Sequence, residues 1–253
     1  DQYPEVIPVD DPKGRVLYFT GCATNYLFEG VGRAVIRVLQ RLGVEVIIPR
    51  GQVCCGLPIF LAGARKMALK NIRKNLELLQ RDDVDAVIVD CATCGAALKK
   101  EYIHILEEMG ESSEAAEALG RKVLDISQYL ARFDLGKLLR PVAARVTYHD
   151  PCHLLRSQGV KEEPRHLLRS IPGVEFVEMA GADVCCGGGG TFQWEHPDVA
   201  SGITGKKVQS VKETGAGIVA SGCPGCRLQI CGNLGEDSIE TLHPVELVAR
   251  ALP

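Results

Sequence analysis

The sequence predicts an α/β protein made of two pseudo-symmetric repeats, each a small parallel sheet flanked by helices. Three observations carry this expectation. The chain has 253 residues, 46% hydrophobic and 24% charged, enough for two domains of about 125 residues with a core each. Short β-rich runs alternate with helical periodicity, in the same order in both halves. Ten of the eleven cysteines fall into two nearly superimposable sets, C-x31-CC-x35-C-x2-C and then C-x32-CC-x36-C-x2-C. The offset is 130 residues between Cys22 and Cys152 and 132 between Cys91 and Cys223.

In the first half the strand-like runs are residues 15–20, 44–48 and 85–89, separated by helical patterns over 27–42 and 64–80. In the second half the strands fall at 145–149, 174–178 and 217–220, with helices near 164–170, 197–214 and 226–233. Each half closes with a short strand and a capped helix, at 123–126 and 127–133, then at 239–242 and 244–252. This alternation is Rossmann-like. The acidic, Ala-rich stretch 111–120 reads as a solvated helix or loop insertion. Residues 134–144, with Pro141, read as the connection, so the repeats are assigned to 1–136 and 137–253.

The net charge of -3, from 29 basic and 32 acidic residues without a single-sign block, gives no support for a nucleic-acid or polybasic membrane surface. The longest charge-free stretch, residues 51–64, contains Pro58 and is too short to span a bilayer. No secretory pattern opens the chain, and a chain of this length needs no disulfide staples, so the cysteines point to metal or redox chemistry in a reducing compartment. The expected location is the cytoplasm, with attachment to the inner face of a membrane only through partners. Because residue 1 is Asp rather than Met, segments upstream of it are not readable.

Ligands in parallel α/β sheets sit beyond the carboxyl ends of the strands. Cys22, Cys91, Cys152 and Cys223 each follow a predicted strand, and the Cys54-Cys55 and Cys185-Cys186 pairs lie in Gly-rich loops, so five thiols per half can meet on one edge. Thiolates are soft ligands suited to zinc or iron-sulfur clusters. Adjacent side chains in extended backbone point apart, so each CC pair needs a bend, which Gly56 and Gly187 permit. Structural zinc takes four ligands, and each half offers five.

The doubled motif, with CCGLP at Cys54 and CCGGGG at Cys185, resembles the paired CCG cysteine-rich domains of the heterodisulfide reductase B subunit family. Relatives with that module include iron-sulfur subunits of glycolate oxidase, lactate-utilisation complexes and anaerobic glycerol-3-phosphate dehydrogenase. The segments RVLYFTGC, GVEVIIPRGQVCCG and HDPCH look most similar to the glycolate and lactate oxidase subunits. The resemblance implies one non-cubane 4Fe-4S cluster on Cys22, Cys54, Cys55, Cys91 and Cys94. It implies a second on Cys152, Cys185, Cys186, Cys223 and Cys226, with zinc in one half still open. It also implies an electron-transfer subunit working with a flavoprotein dehydrogenase for a 2-hydroxy acid such as lactate or glycolate. The ferredoxin run C-x2-C-x2-C-x3-C-P is absent from the chain, so a ferredoxin-type module is expected as a further partner. Cleavage of a disulfide at such clusters, and a zinc module or thiol redox sensor, are the alternatives.

Other residues carry weaker signals. CATC and CPGC could each be a thioredoxin-like pair, though Cys22, Cys54 and Cys55 make that secondary. Cys231, five residues past Cys226, reads as a buried structural thiol. His149 and His153 could hydrogen-bond cluster sulfurs, move protons, or be satisfied structural groups. The run Gly187 to Gly190 lacks the context of a nucleotide loop and suits close approach of backbone to a cluster. Trp194 could line a pocket or a partner surface, or pack in the core.

Overall fold

The computed structural model describes residues 3–235 and 238–253; Asp1 lies outside them. The chain forms two compact units, one ending at Tyr129 and the other beginning at Leu130.

The first unit runs β1 (Val6–Ile7), β2 (Gly14–Phe19), α1 (Gly21–Tyr26), α2 (Glu29–Arg41), β3 (Val44–Ile47), α3 (Leu57–Leu61) and α4 (Arg65–Leu79). It continues with β4 (Ala86–Val89), α5 (Ala92–Ala96), a π-helical turn over Ala97–Glu101, α6 (Tyr102–Glu108), α7 (Glu114–Lys122), β5 (Val123–Asp125) and α8 (Ile126–Leu130). Its sheet has the order β1-β3-β2-β4-β5, parallel except for β1. Val16 to Phe19 and Ala86 to Val89 are buried throughout, as strands covered by helices on both faces must be. The outer layers are amphipathic: α2 buries Val31, Val35, Val38 and Leu39 and turns Arg33, Arg37 and Gln40 outward.

The second unit runs β6 (Ala144–Tyr148), α9 (Cys152–Gln158), α10 (Glu162–Ser170), β7 (Val174–Phe176), α11 (Phe192–Glu195) and α12 (Pro197–Glu213). It ends with β8 (Ile218–Ala220), α13 (Pro224–Cys231), β9 (Glu240–Leu242) and α14 (Pro244–Arg250). Its all-parallel sheet, β7-β6-β8-β9, repeats the inner order β3-β2-β4-β5. Tyr18 faces Ile88 across the first sheet and Tyr148 faces Ala220 across the second, so the repeat extends to register. The predicted α/β class and its two mainly parallel sheets are therefore observed.

Stretch 111–120 differs from the expectation of a solvated insertion. It contributes α7, which buries Ala116, Leu119 and Gly120. A Cβ on Gly120 would sit 2.6 Å from the Lys99 carbonyl, so only glycine allows this approach. Among the described residues no helix is long and apolar enough to cross a membrane.

Candidate metal centres

The connection after the central strand of each sheet leads to one neighbour and the next connection to the other, which opens a crevice at the strands' carboxyl ends. Cys22 and Cys152 lie in the first turns of α1 and α9 there, beyond β2 and β6. Cys91 and Cys223 follow β4 and β8 as the N-cap residues of α5 and α13, which carry Cys94 and Cys226 one turn on. The adjacent pairs follow β3 and β7. Gly56 (φ 83°) and Gly187 (φ 90°) take the left-handed conformation immediately after them.

All eleven cysteines are free thiols. Cys55, Cys91, Cys94, Cys186, Cys223 and Cys226 are buried, Cys54 is half-buried, and Cys22, Cys152 and Cys185 reach the surface. Within each unit the five motif thiols lie together. In the first, hydrogen bonds from Cys22 and Cys55 draw Cys54 down to about 2, while contact with Cys54 pushes both Cys22 and Cys55 up. Contacts with Cys55 and Cys91 push Cys94 up as well. In the second, Cys186 holds the acceptor position: contacts with Cys185 and Cys226, then with His149, keep it far below an ordinary thiol. Cys186 Sγ lies 3.2 Å from Cys226 Sγ. Cys223 falls to about 7 through its contact with Cys226, and Cys152 is raised by burial and by the charges of Cys223 and Cys186.

The surroundings bring backbone close to sulfur. The Gly187 N–H donates to Cys185 Sγ at 3.3 Å. A Cβ on Gly21 would stand 3.1 Å from Cys94 Sγ, and one on Gly188 3.6 Å from Cys186 Sγ. Each unit thus offers soft sulfur donors, buried on one side and open on the other, with a glycine N–H on the CC pair in both, Gly56 on Cys54 and Gly187 on Cys185. That donor set fits a thiolate-bound metal or iron-sulfur centre.

Each CC loop is tied to the helix behind it. Asn75, fully buried on α4, donates to the Val53 and Cys54 carbonyls, both at 3.2 Å, and accepts from Val53 N. On α12, Thr204 donates to the Cys186 carbonyl at 2.8 Å and Lys207 Nζ donates to the Gly181 carbonyl at 2.6 Å. Near the first site, Asp90 Oδ2 accepts from Tyr18 OH at 2.7 Å and Thr24 Oγ1 at 2.8 Å. Near the second, the buried Asp150 is held by Arg165.

His149 is 1% exposed, and its ring lies within 4.8 Å of both Cys186 Sγ and Cys226 Sγ. His153 is half-buried one residue after Cys152. One expectation is corrected, and one open alternative is decided. Cys231 is exposed, because the end of α13 turns it away from the core. Trp194 is 74% exposed on the four-residue α11 and packs in no core. Sequence reasoning missed Asn75, Asp90, Arg165 and Lys207; a polar or charged residue on the otherwise apolar face of a periodic segment was the available signal.

The CCG cysteine-rich domain model matches residues 16–99 and again 146–231. A protein from Methanothermobacter marburgensis, named as the B subunit of a CoM/CoB fumarate reductase, is 41% identical over 95% of this chain and 47% of its own length. A "Probable glycolate oxidase iron-sulfur subunit" from Bacillus subtilis is 36% identical over 98% of this chain and 57% of its own. "Lactate utilization protein A" from Oceanobacillus iheyensis is 33% identical over 92% of this chain and 96% of its own. The chain therefore spans about half the length of the first two of these relatives and almost all of the third.

Proposed function

Because the chain belongs to the CCG cysteine-rich domain family, we propose that it is an iron-sulfur electron-transfer subunit of an oxidoreductase complex. Its donor would be a flavoprotein dehydrogenase acting on a 2-hydroxy acid such as lactate or glycolate. The reading rests above all on two five-thiol constellations, each gathered beyond the carboxyl ends of a parallel sheet around a CC pair. The names of the glycolate oxidase and lactate utilization relatives support the substrate class.

Cys22, Cys54, Cys55, Cys91 and Cys94 would hold one centre, and Cys152, Cys185, Cys186, Cys223 and Cys226 the other. Such centres supply reversible one-electron transfer. The chain's own part is to deliver deprotonated sulfur, exclude water from the buried side, and leave the edge with Cys22 or Cys152 and Cys185 open to a partner. A ferredoxin-type module would complete the path, on a partner chain or on residues outside the present chain. Disulfide cleavage at such a centre is the second reading; the CoM/CoB fumarate reductase relative and the exposed rim thiols favour it.

Anaerobic purification with iron, acid-labile sulfide and zinc counts tests the proposal. Loading of both units gives about eight irons and eight sulfides per chain, two four-iron clusters. Cys55→Ser and Cys186→Ser should each remove half. Zinc without iron would overturn the electron-carrier reading, and turnover of a small disulfide by the isolated chain would favour the second one.

A further inference from the structure

The two thiol sites are built on one plan, but the groups behind them differ in charge. Phe19 ends β2 and packs in one buried cluster with Cys55, Cys91 and Cys94. The residue at the same register beyond β6 is His149, beside Cys186 and Cys226. Gly56 abuts Ala68 and Ile72 of α4, and Gly187 abuts Ala200 and Thr204 of α12, which aligns the helices and sets Lys207 where the first unit has Asn75. Asp90 immediately precedes Cys91, and Gly222 immediately precedes Cys223.

Lys207 is 2% exposed. Its ammonium donates to the Gly181 and Ala182 carbonyls at 2.6 and 3.3 Å and lies 3.9 Å from Met179 Sδ. Three acceptors match the three protons of the charged form, whereas a neutral amine would turn its lone pair on one of them. Burial holds the Lys207 ammonium below the ordinary lysine range, and the anionic groups that act against this are Cys186 first, then Asp183, Asp150 and Cys226. Asp183 is exposed and therefore screened by water. Asp150, where the first unit has Thr20, is neutralised by Arg165, whose Nη1 and Nη2 reach its two oxygens at 2.7 and 2.6 Å.

An electron added to a thiolate-bound centre is stabilised by a nearby buried cation and by hydrogen-bond donors to sulfur, and opposed by a buried carboxylate. All three differences have the same sign. Resting on the reading that both units hold iron-sulfur centres, we propose that the second unit's centre has the higher reduction potential, set by Lys207 and His149. With a low-potential reductant such as dithionite it takes one electron before the first unit's centre does.

The test is an anaerobic redox titration of the full loaded chain, poised with dithionite and followed by electron paramagnetic resonance. Cys55→Ser and Cys186→Ser, each loaded in one unit, assign the midpoints. The higher midpoint should vanish in Cys186→Ser and persist in Cys55→Ser. Lys207→Asn and His149→Phe should each shift that midpoint downward and leave the other in place, with circular dichroism melts as the control for folding. A higher midpoint that belongs to the first unit overturns the inference, as does a second-unit midpoint that neither replacement moves. If Lys207→Asn fails to fold, the assignment in the Cys→Ser forms still decides. A chain without iron overturns the electron-carrier reading and this inference together; iron with the opposite order overturns this inference alone.

Discussion

Arg165 shows how much one side chain can fix around a site. Its Nε donates to Glu178 Oε2, Nη1 to Asp150 Oδ1 and the Lys161 carbonyl, and Nη2 to Asp150 Oδ2 and Glu178 Oε1, all within 2.6 to 2.9 Å. That uses all five N–H groups of the guanidinium. Both Arg165 and Asp150 are almost wholly buried, so removing one charge strands the other. Arg165→Met should therefore cost about 3–5 kcal/mol of unfolding free energy by denaturant titration. Arg165→Lys should recover only part of it, because an ammonium lacks the planar fork. Loss of less than about 1 kcal/mol, the range of exposed pairs, would show that Asp150 has another partner of equal strength. The sequence brought attention to HDPCH for its histidines. It could not reveal that Asp150 is neutralised from α10, since that contact joins residues with no shared periodicity.

At the scale of elements, the loop after each CC pair is where backbone conformation and chemistry meet. Gly187 has φ 90°, and a Cβ there would stand 2.4 Å from Thr204 Oγ1 and 2.7 Å from the Ala200 carbonyl. Gly190 also has positive φ, 66°, but a Cβ there meets nothing within 4 Å. Gly190→Ala should cost only the left-handed backbone penalty, about 1–2 kcal/mol. Gly187→Ala must add displacement of α12 or of the Cys185-Cys186 turn, and should lower bound metal as well as stability. Equal metal content in the two variants would refute that role for the Gly187 bend. This bend was legible beforehand because two adjacent cysteines require one and glycine follows both pairs. The main strands were legible too, as buried β-branched runs bounded by glycine and charge. The short α1, α3, α5 and α9 were not, because five to seven residues carry too little periodicity to register. The two-residue antiparallel β1 escaped for the same reason. For α7, acidic composition suggested exposure, while the buried Ala116, Leu119 and Gly120 stripe decided the packing.

At the scale of the whole molecule, each unit has its own sheet, its own core and its own five thiols, and among the described residues no strand is shared. A metal centre binds the folded form of the unit that gathers its ligands, so its binding free energy adds to the stability of that unit. Amide hydrogen exchange reads the two units separately, on β2 and β4 for the first and on β6 and β8 for the second. Cys186→Ser should lower the protection of β6 and β8 in the loaded chain, because it removes the centre at their carboxyl ends. Cys55→Ser should leave that protection nearly in place and lower that of β2 and β4. Stripping metal with a chelator under anaerobic conditions should bring all three proteins to the same protection on β6 and β8. If Cys55→Ser lowers the protection of β6 and β8 as far as Cys186→Ser does, the units unfold as one cooperative body, and the duplicated motif is thermodynamically a single site despite its two sheets.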